Sequence, residues 1–238
     1  AYGNAIGSVI CNTALIAAIT IAVKPADTVD TGTFRIPVFF FFGAAALYSA
    51  VAYTTGQFTR VVGSILLSVF VVYMMINTKK AFSGELVLDV EEDDEKEAKE
   101  SSLGKDLLLL ILGAAVIAVG ADLLVKNGKI IAEGLGVPES VIALTFVPLG
   151  TSLPELVTAI TSLAKGHGSL SLGNIVGANL FNFVLVSGLA ITIRPFGIPT
   201  EKMIAGHNAS LVVDLPVMFA VMILMTLPAL LKKRLYRW

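Results

Sequence analysis

The chain has 238 residues, 55% hydrophobic and only 15% charged, and its mean hydropathy of +0.83 is far above what one soluble core requires. This is the composition of an integral membrane protein. The 17 basic and 18 acidic residues nearly cancel, but eight acids fall in one run, DVEEDDEKEAKE at 89–100, so the rest is slightly basic, which suits cationic loop ends at a bilayer and gives no reason for a nucleic-acid partner.

Charge-poor runs long enough to cross a bilayer, roughly 18 to 25 residues each, occur at about 1–23, 36–55, 60–78, 105–125, 139–164, 169–193 and 210–231. Seven transmembrane helices are therefore predicted. An odd number puts the two ends of the chain on opposite sides, so basic residues can be counted loop by loop. One side collects twelve, from Lys24 and Arg35 to Arg237; the other collects five, Arg60, Lys126, Lys129, Arg194 and Lys202. The richer side is assigned to the cytoplasm, which turns residue 1 outward and the acidic run inward. The single cysteine, Cys11, lies in an apolar segment and leaves no disulfide framework to build. The opening residues, AYGNAIG, carry no basic leader and pass directly into the first span, so no signal peptide is expected.

Sliding the chain against itself by 170 residues exposes a repeat. YGNAIGSVICNTALIAAITIAVKP at 2–25 then lies over LGNIVGANLFNFVLVSGLAITIRP at 172–195 without a gap, with Gly3, Asn4, Gly7, Asn12, Leu15, Ile21 and Pro25 matched identically and Lys24 over Arg194. Farther on, RIPV at 35–38 falls near DLPV at 214–217. By the loop count the two copies run in opposite senses, the inverted topology of many secondary transporters. The chain divides accordingly into 1–78, the remainder of a first repeat with three helices; 79–102, an acidic linker; and 103–238, a second repeat with four helices, the last cut short. The repeat further leads us to expect a fragment, with two helices before residue 1 and the end of the last one missing.

The segment PLGTSLPE at 148–155 puts a carboxylate, Glu155, in an apolar span. Such a group costs roughly 2.5–3.5 kcal/mol on insertion scales and normally faces a pathway or a partner. Thr151 at i−4 and Ser152 at i−3 share its helix face, and Pro154 and Pro148 offer no N–H to the carbonyls of Gly150 and Leu144. Carboxylate, hydroxyl and freed carbonyl oxygens are ligands that hard cations such as calcium and sodium accept, whereas the His and Cys that zinc or copper would favour are missing. A proline kink with self-capping hydroxyls explains Thr151 and Ser152 but not the acid.

A second constellation is the repeated GNxxG. Asn4, Ser8 and Asn12 recur at i, i+4 and i+8 on one face, and their counterparts are Asn174, Ala178 and Asn182. The glycine pairs alone fit helix packing, but several amides on one face exceed what packing needs. We expect the glycines to let these helices close on the GTSLPE helix, so that amides and carboxylate meet. Asp122 beside Lys126 and Asp214 at the start of a helix read as snorkelling and capping groups; His167 and His207 read as solvated loop residues.

These segments resemble the sodium/calcium exchangers of the cation/calcium antiporter superfamily. GTSLPELVTAITSLAKGHGSLSLGNIVGANLFN at 150–182 looks like the family's second alpha repeat, and YGNAIGSVICN at 2–12 like the tail of the first. The resemblance implies an all-α inverted-repeat membrane fold of ten helices, of which seven are in this chain. It also implies a midplane site in which Glu155, Thr151 and Ser152 join Ser8 and Asn12 of the first repeat and Asn182 of the second. The implied function is exchange of sodium for calcium across the plasma membrane by alternating access, with the ions as cargo and no resident cofactor. Departures accompany the match: the first-repeat glutamate is absent from this chain, Ala178 stands where many members carry Ser, and Asn182 stands where potassium-dependent relatives carry Asp. Proton/calcium exchange and potassium-dependent exchange are the alternatives. An intramembrane enzyme using Glu155 as a base would need a nucleophile, a His-held metal or a second acid at catalytic spacing, and none is visible.

Overall fold

The computed structural model describes residues 2–23, 31–83, 103–137, 149–164, 168–200 and 203–233; the acidic run at 89–100, His167 and the first ten residues of the span expected at 139–164, Pro148 among them, lie outside these. Within them the chain is helical, apart from two short antiparallel ribbons. Six helices are long and apolar enough to cross a membrane: α1 (Tyr2–Val23), α2 (Thr31–Thr54), α3 (Arg60–Phe82), α4 (Leu103–Gly134), α6 (168–193) and α7 (Ser210–Lys232). The described part of the remaining expected span includes α5 (Leu153–Ala164).

Two boundaries differ from expectation for visible reasons. Helix α4 runs 32 residues rather than stopping near 125, because the sequence beyond it still favours helix. Lys126 Nζ lies 2.7 Å from Asp122 Oδ2 and Lys129 Nζ lies 3.6 Å from Glu133 Oε1, i,i+4 pairs each adding about 0.2–0.5 kcal/mol. The helix ends only where Gly136 takes φ +75°, the left-handed C-terminal stop that glycine adopts without strain. Asp214, in turn, does not start a helix. It closes a π turn, Ser210–Asp214, already inside α7, and makes no capping hydrogen bond. Pro216 explains the wide turn: proline cannot donate within the helix and its ring crowds the preceding turn, so an i→i−5 bond, here Leu215 N–H to the Ser210 carbonyl, relieves the crowding.

The chain forms two compact units, one of residues 1–77 and 155–238, the other of 78–154. The second unit contains α4. In the first, α1 and α6 run in opposite directions. Tyr2, at the start of α1, packs on Tyr48 and Phe58 with ring centroids 5.7 Å apart in each case. Phe58 in turn lies 5.3 Å from Phe196, just past the end of α6. Strand β1 (Gln57–Phe58) pairs with β2 (Phe196–Gly197) at the same end, so the connections at 55–59 and 194–197 share one side of the bundle, as the alternating loop count requires. The ribbon β3 (Met203–Ile204) and β4 (His207–Asn208) turns through Ala205 and Gly206, both at positive φ, the geometry of a two-residue hairpin turn. His207 there is exposed, its Nδ1 3.0 Å from the Ala205 carbonyl oxygen.

The core of this unit is Ile6, Val9, Phe41, Tyr48, Val176, Leu180, Phe183 and Met222, all at most 2% exposed. Helix α3 meets α6 backbone to backbone. A Cβ built on Gly63 would stand 2.9 Å from the Gly188 carbonyl oxygen, and one on Gly188 would stand 3.1 Å from Leu67. In hydrocarbon, where apolar side chains gain little from leaving lipid, such small-residue contacts bring helices together.

Candidate functional site

The wide turn in α7 has two relatives, and these mark the repeat in the backbone itself. In α1 a π turn spans Cys11–Ile16, with the Ala17 N–H donating to the Asn12 carbonyl. In α6 a π turn spans Asn182–Val186, with the Ser187 N–H donating to the Asn182 carbonyl. Asn12 and Asn182, like Ala17 and Ser187, are partners at the 170-residue offset. Single π turns inside α-helices concentrate at functional positions.

Asn12 is ten residues from Tyr2 and eleven from Val23, so at 1.5 Å per residue it lies roughly 15 Å from each end of α1, near mid-bilayer. It is fully buried, and Ser8, one turn earlier on the same face, is 2% exposed. An amide at that depth needs partners, because an unsatisfied polar group in hydrocarbon costs several kcal/mol. Asn12 Nδ2 donates to Asn179 Oδ1 at 2.9 Å, and Asn179 Nδ2 donates to Thr13 Oγ1 at 3.0 Å. Asn179 is likewise fully buried and Thr13 5% exposed. This network joins the two repeats at their crossing, and it leaves one atom over: Asn12 Oδ1 is buried with no hydrogen-bond partner.

Glu155, in the first turn of α5, is half-buried and its Oε2 is buried without a partner. The compact units divide between Pro154 and Glu155. In the second unit Thr151 is exposed, while Ser152 is buried with its hydroxyl unpartnered and its N–H donating to the Leu149 carbonyl at 3.2 Å. Asn182 is half-buried, and its backbone carbonyl also accepts the Ser187 hydroxyl at 2.8 Å. Three side-chain oxygens of the expected set, on Asn12, Ser152 and Glu155, are thus buried and unused. The structure joins Asn12 to Thr13 and Asn179 rather than to Asn182.

Asn179 and Thr13 are the residues that sequence reasoning passed over. Their repeat partners are Val9 and Phe183, so the sliding comparison gave them no weight, and Asn179 lies off the face defined by Asn174, Ala178 and Asn182. The available signal was simply a second amide in the apolar run GANLFN. Of the GNxxG glycines, a Cβ on Gly3, Gly173 or Gly177 would meet no atom within 4 Å; the close approach of α3 to α6 is made at Gly63 and Gly188. Beside the crossing, Ala14, Ala17, Ala18 and Ile21 of α1 with Val221 and Met225 of α7 line an apolar groove of about 540 Å³, with Thr13 at its edge.

Residues 1–79 and 105–238 match the family model described as sodium/calcium exchanger protein. The chain belongs to the sodium/calcium exchanger family. The unmatched stretch, 80–104, contains the acidic run. The chain is 36% identical over 129 residues to the sodium/calcium exchanger MaX1 of Methanosarcina acetivorans, a stretch that is 54% of this chain and 35% of that protein. It is 32% identical over 198 residues to the inner membrane protein YrbG of Escherichia coli, covering 82% of this chain and 60% of that one. The matches thus span from a third to three-fifths of these relatives' length. Among solved structures, the sodium-calcium exchanger NCX_Mj soaked with sodium and strontium superposes with a TM-score of 0.72 at 26% identity, over all of this chain and 70% of that one. The fold is therefore the inverted-repeat membrane fold of these exchangers, and the family is one of transporters rather than enzymes.

Proposed function

We propose that the protein is a secondary active antiporter that exchanges sodium for calcium by alternating access, exporting calcium across the plasma membrane with its acidic linker in the cytoplasm. The observation that supports this best is a carboxylate oxygen of Glu155, buried in an apolar span without a partner, in a chain whose opposed repeats cross at buried amides. A carboxylate there is tolerable when a cation completes it.

In this reading Glu155 supplies charge, Thr151, Ser152 and Ser8 supply hydroxyl oxygens, and Asn12 and Asn182 supply neutral amide oxygens. Calcium takes six to eight oxygen ligands and needs carboxylates to offset its desolvation. Sodium ions spread over the same acids and neutral oxygens. One species must leave before the other binds, and rocking of the other helices about the site exposes it to each side in turn, which couples the two gradients. The ions are cargo, and no resident cofactor is invoked. Asn182, being neutral, favours sodium coupling over potassium coupling.

The test is calcium uptake into vesicles containing the full-length protein, with sodium, potassium or pH gradients imposed separately. Uptake is expected only when sodium can leave the vesicles. Uptake that follows pH without sodium would replace this reading by proton/calcium exchange, and an added requirement for potassium would replace it by potassium-dependent exchange.

A further inference from the structure

We propose that Asn179 is a positioning residue for ion binding: its amide holds the side chain of Asn12 so that Asn12 Oδ1 is the atom turned to the ion. The inference rests on the reading of Asn12 as a ligand, and adds to it a residue from the opposite repeat that does not itself touch the ion.

An asparagine amide presents an acceptor on one side and two donors on the other. Unrestrained, Asn12 can offer a cation either its oxygen or its NH2 group, and the second repels it. In the structure the hydrogen bonds run in one sense. Asn12 Nδ2 is engaged by Asn179 Oδ1, and Asn179 in turn is held by Thr13 Oγ1, which accepts from Asn179 Nδ2. All three side chains are 5% exposed or less, so water does not compete for them. In the reverse sense the network would leave an NH2 buried and unpartnered in place of the oxygen. As it stands, the leftover group is Asn12 Oδ1, an acceptor, which is what a cation requires. Thr13 follows Asn12 in the chain, so α1 supplies both ends of the clamp and α6 its middle.

The experiment is a double-mutant cycle on the full-length protein in proteoliposomes, reading both the half-saturating calcium concentration and the maximal rate of sodium-driven uptake. Asn179→Ala is expected to raise half-saturating calcium roughly three- to tenfold, the usual worth of one buried hydrogen bond, with a smaller change in maximal rate. In an Asn12→Ala background it should add nothing, because it acts through Asn12. Effects that multiply in the double variant, or an Asn179→Ala protein with unchanged half-saturation, would overturn the proposal. An Asn12→Ala protein with wild-type half-saturation would instead remove Asn12 as a ligand, and the positioning role with it. If Asn179→Ala does not give folded protein, Thr13 reads the same clamp from the other end. Thr13→Val should raise half-saturating calcium while Thr13→Ser restores it, and equal affinities for the two would again overturn the proposal.

Discussion

In α1 the helix widens at Asn12, and in α6 it widens at Asn182, with the closing N–H supplied by residues that are again repeat partners. The side chains around the two turns do not follow the same rule. Ser8, Val9 and Thr13 in the first helix stand against Ala178, Asn179 and Phe183 in the second, and the hydrogen bonds run from Asn12 and Thr13 to Asn179, not between equivalent positions. The comparison teaches that inversion sets the path of the backbone, while the side chains around the two wide turns differ.

The largest effect is expected from neutralising the acid of the second repeat. Glu155→Gln keeps the volume and hydrogen-bonding capacity but removes the charge, and sodium-driven calcium uptake should fall to background; wild-type uptake would take Glu155 out of the mechanism. A smaller effect is expected from the packing that holds the repeats in register. Gly63→Val drives a side chain into the Gly188 carbonyl and Thr192, and should lower stability in detergent by roughly 1–3 kcal/mol, read as a lower thermal midpoint. Gly3→Ala, facing open space, should change it by less than about 0.5 kcal/mol. A small effect on function is expected from making the two helices more alike. Ala178→Ser gives α6 the hydroxyl that α1 has at Ser8, and should lower the half-saturating sodium concentration by about two- to threefold, the worth of one weak neutral ligand.

Much of the fold was legible in the sequence because its signals are long and redundant. Seven apolar runs, a gap-free repeat and the charge of the loops all point to the same topology, and β1 pairing with β2 places the connections where the loop count puts them. Ser8 and Asn12, placed on one helix face by their spacing, are both buried. What escaped was whatever depended on partners distant in sequence. Asn179 meets Asn12 across 167 residues, and its own repeat partner is Val9, so neither periodicity nor self-comparison marks it. Asp214 was misplaced because Pro216 reads locally as a helix start, whereas the chain meets that proline with a wide turn and continues. The close approach of α3 to α6 escaped in the same way, because Gly63 meets Gly188 from 125 positions away.

The central claim is that calcium and sodium compete for one site that includes Glu155. Equilibrium binding of radiolabelled calcium to the purified full-length protein, titrated with sodium, tests it without relying on transport. The wild-type protein should bind calcium that sodium displaces completely, and Glu155→Gln should bind none above background. Calcium binding that survives both sodium and the Glu155→Gln substitution would contradict the account.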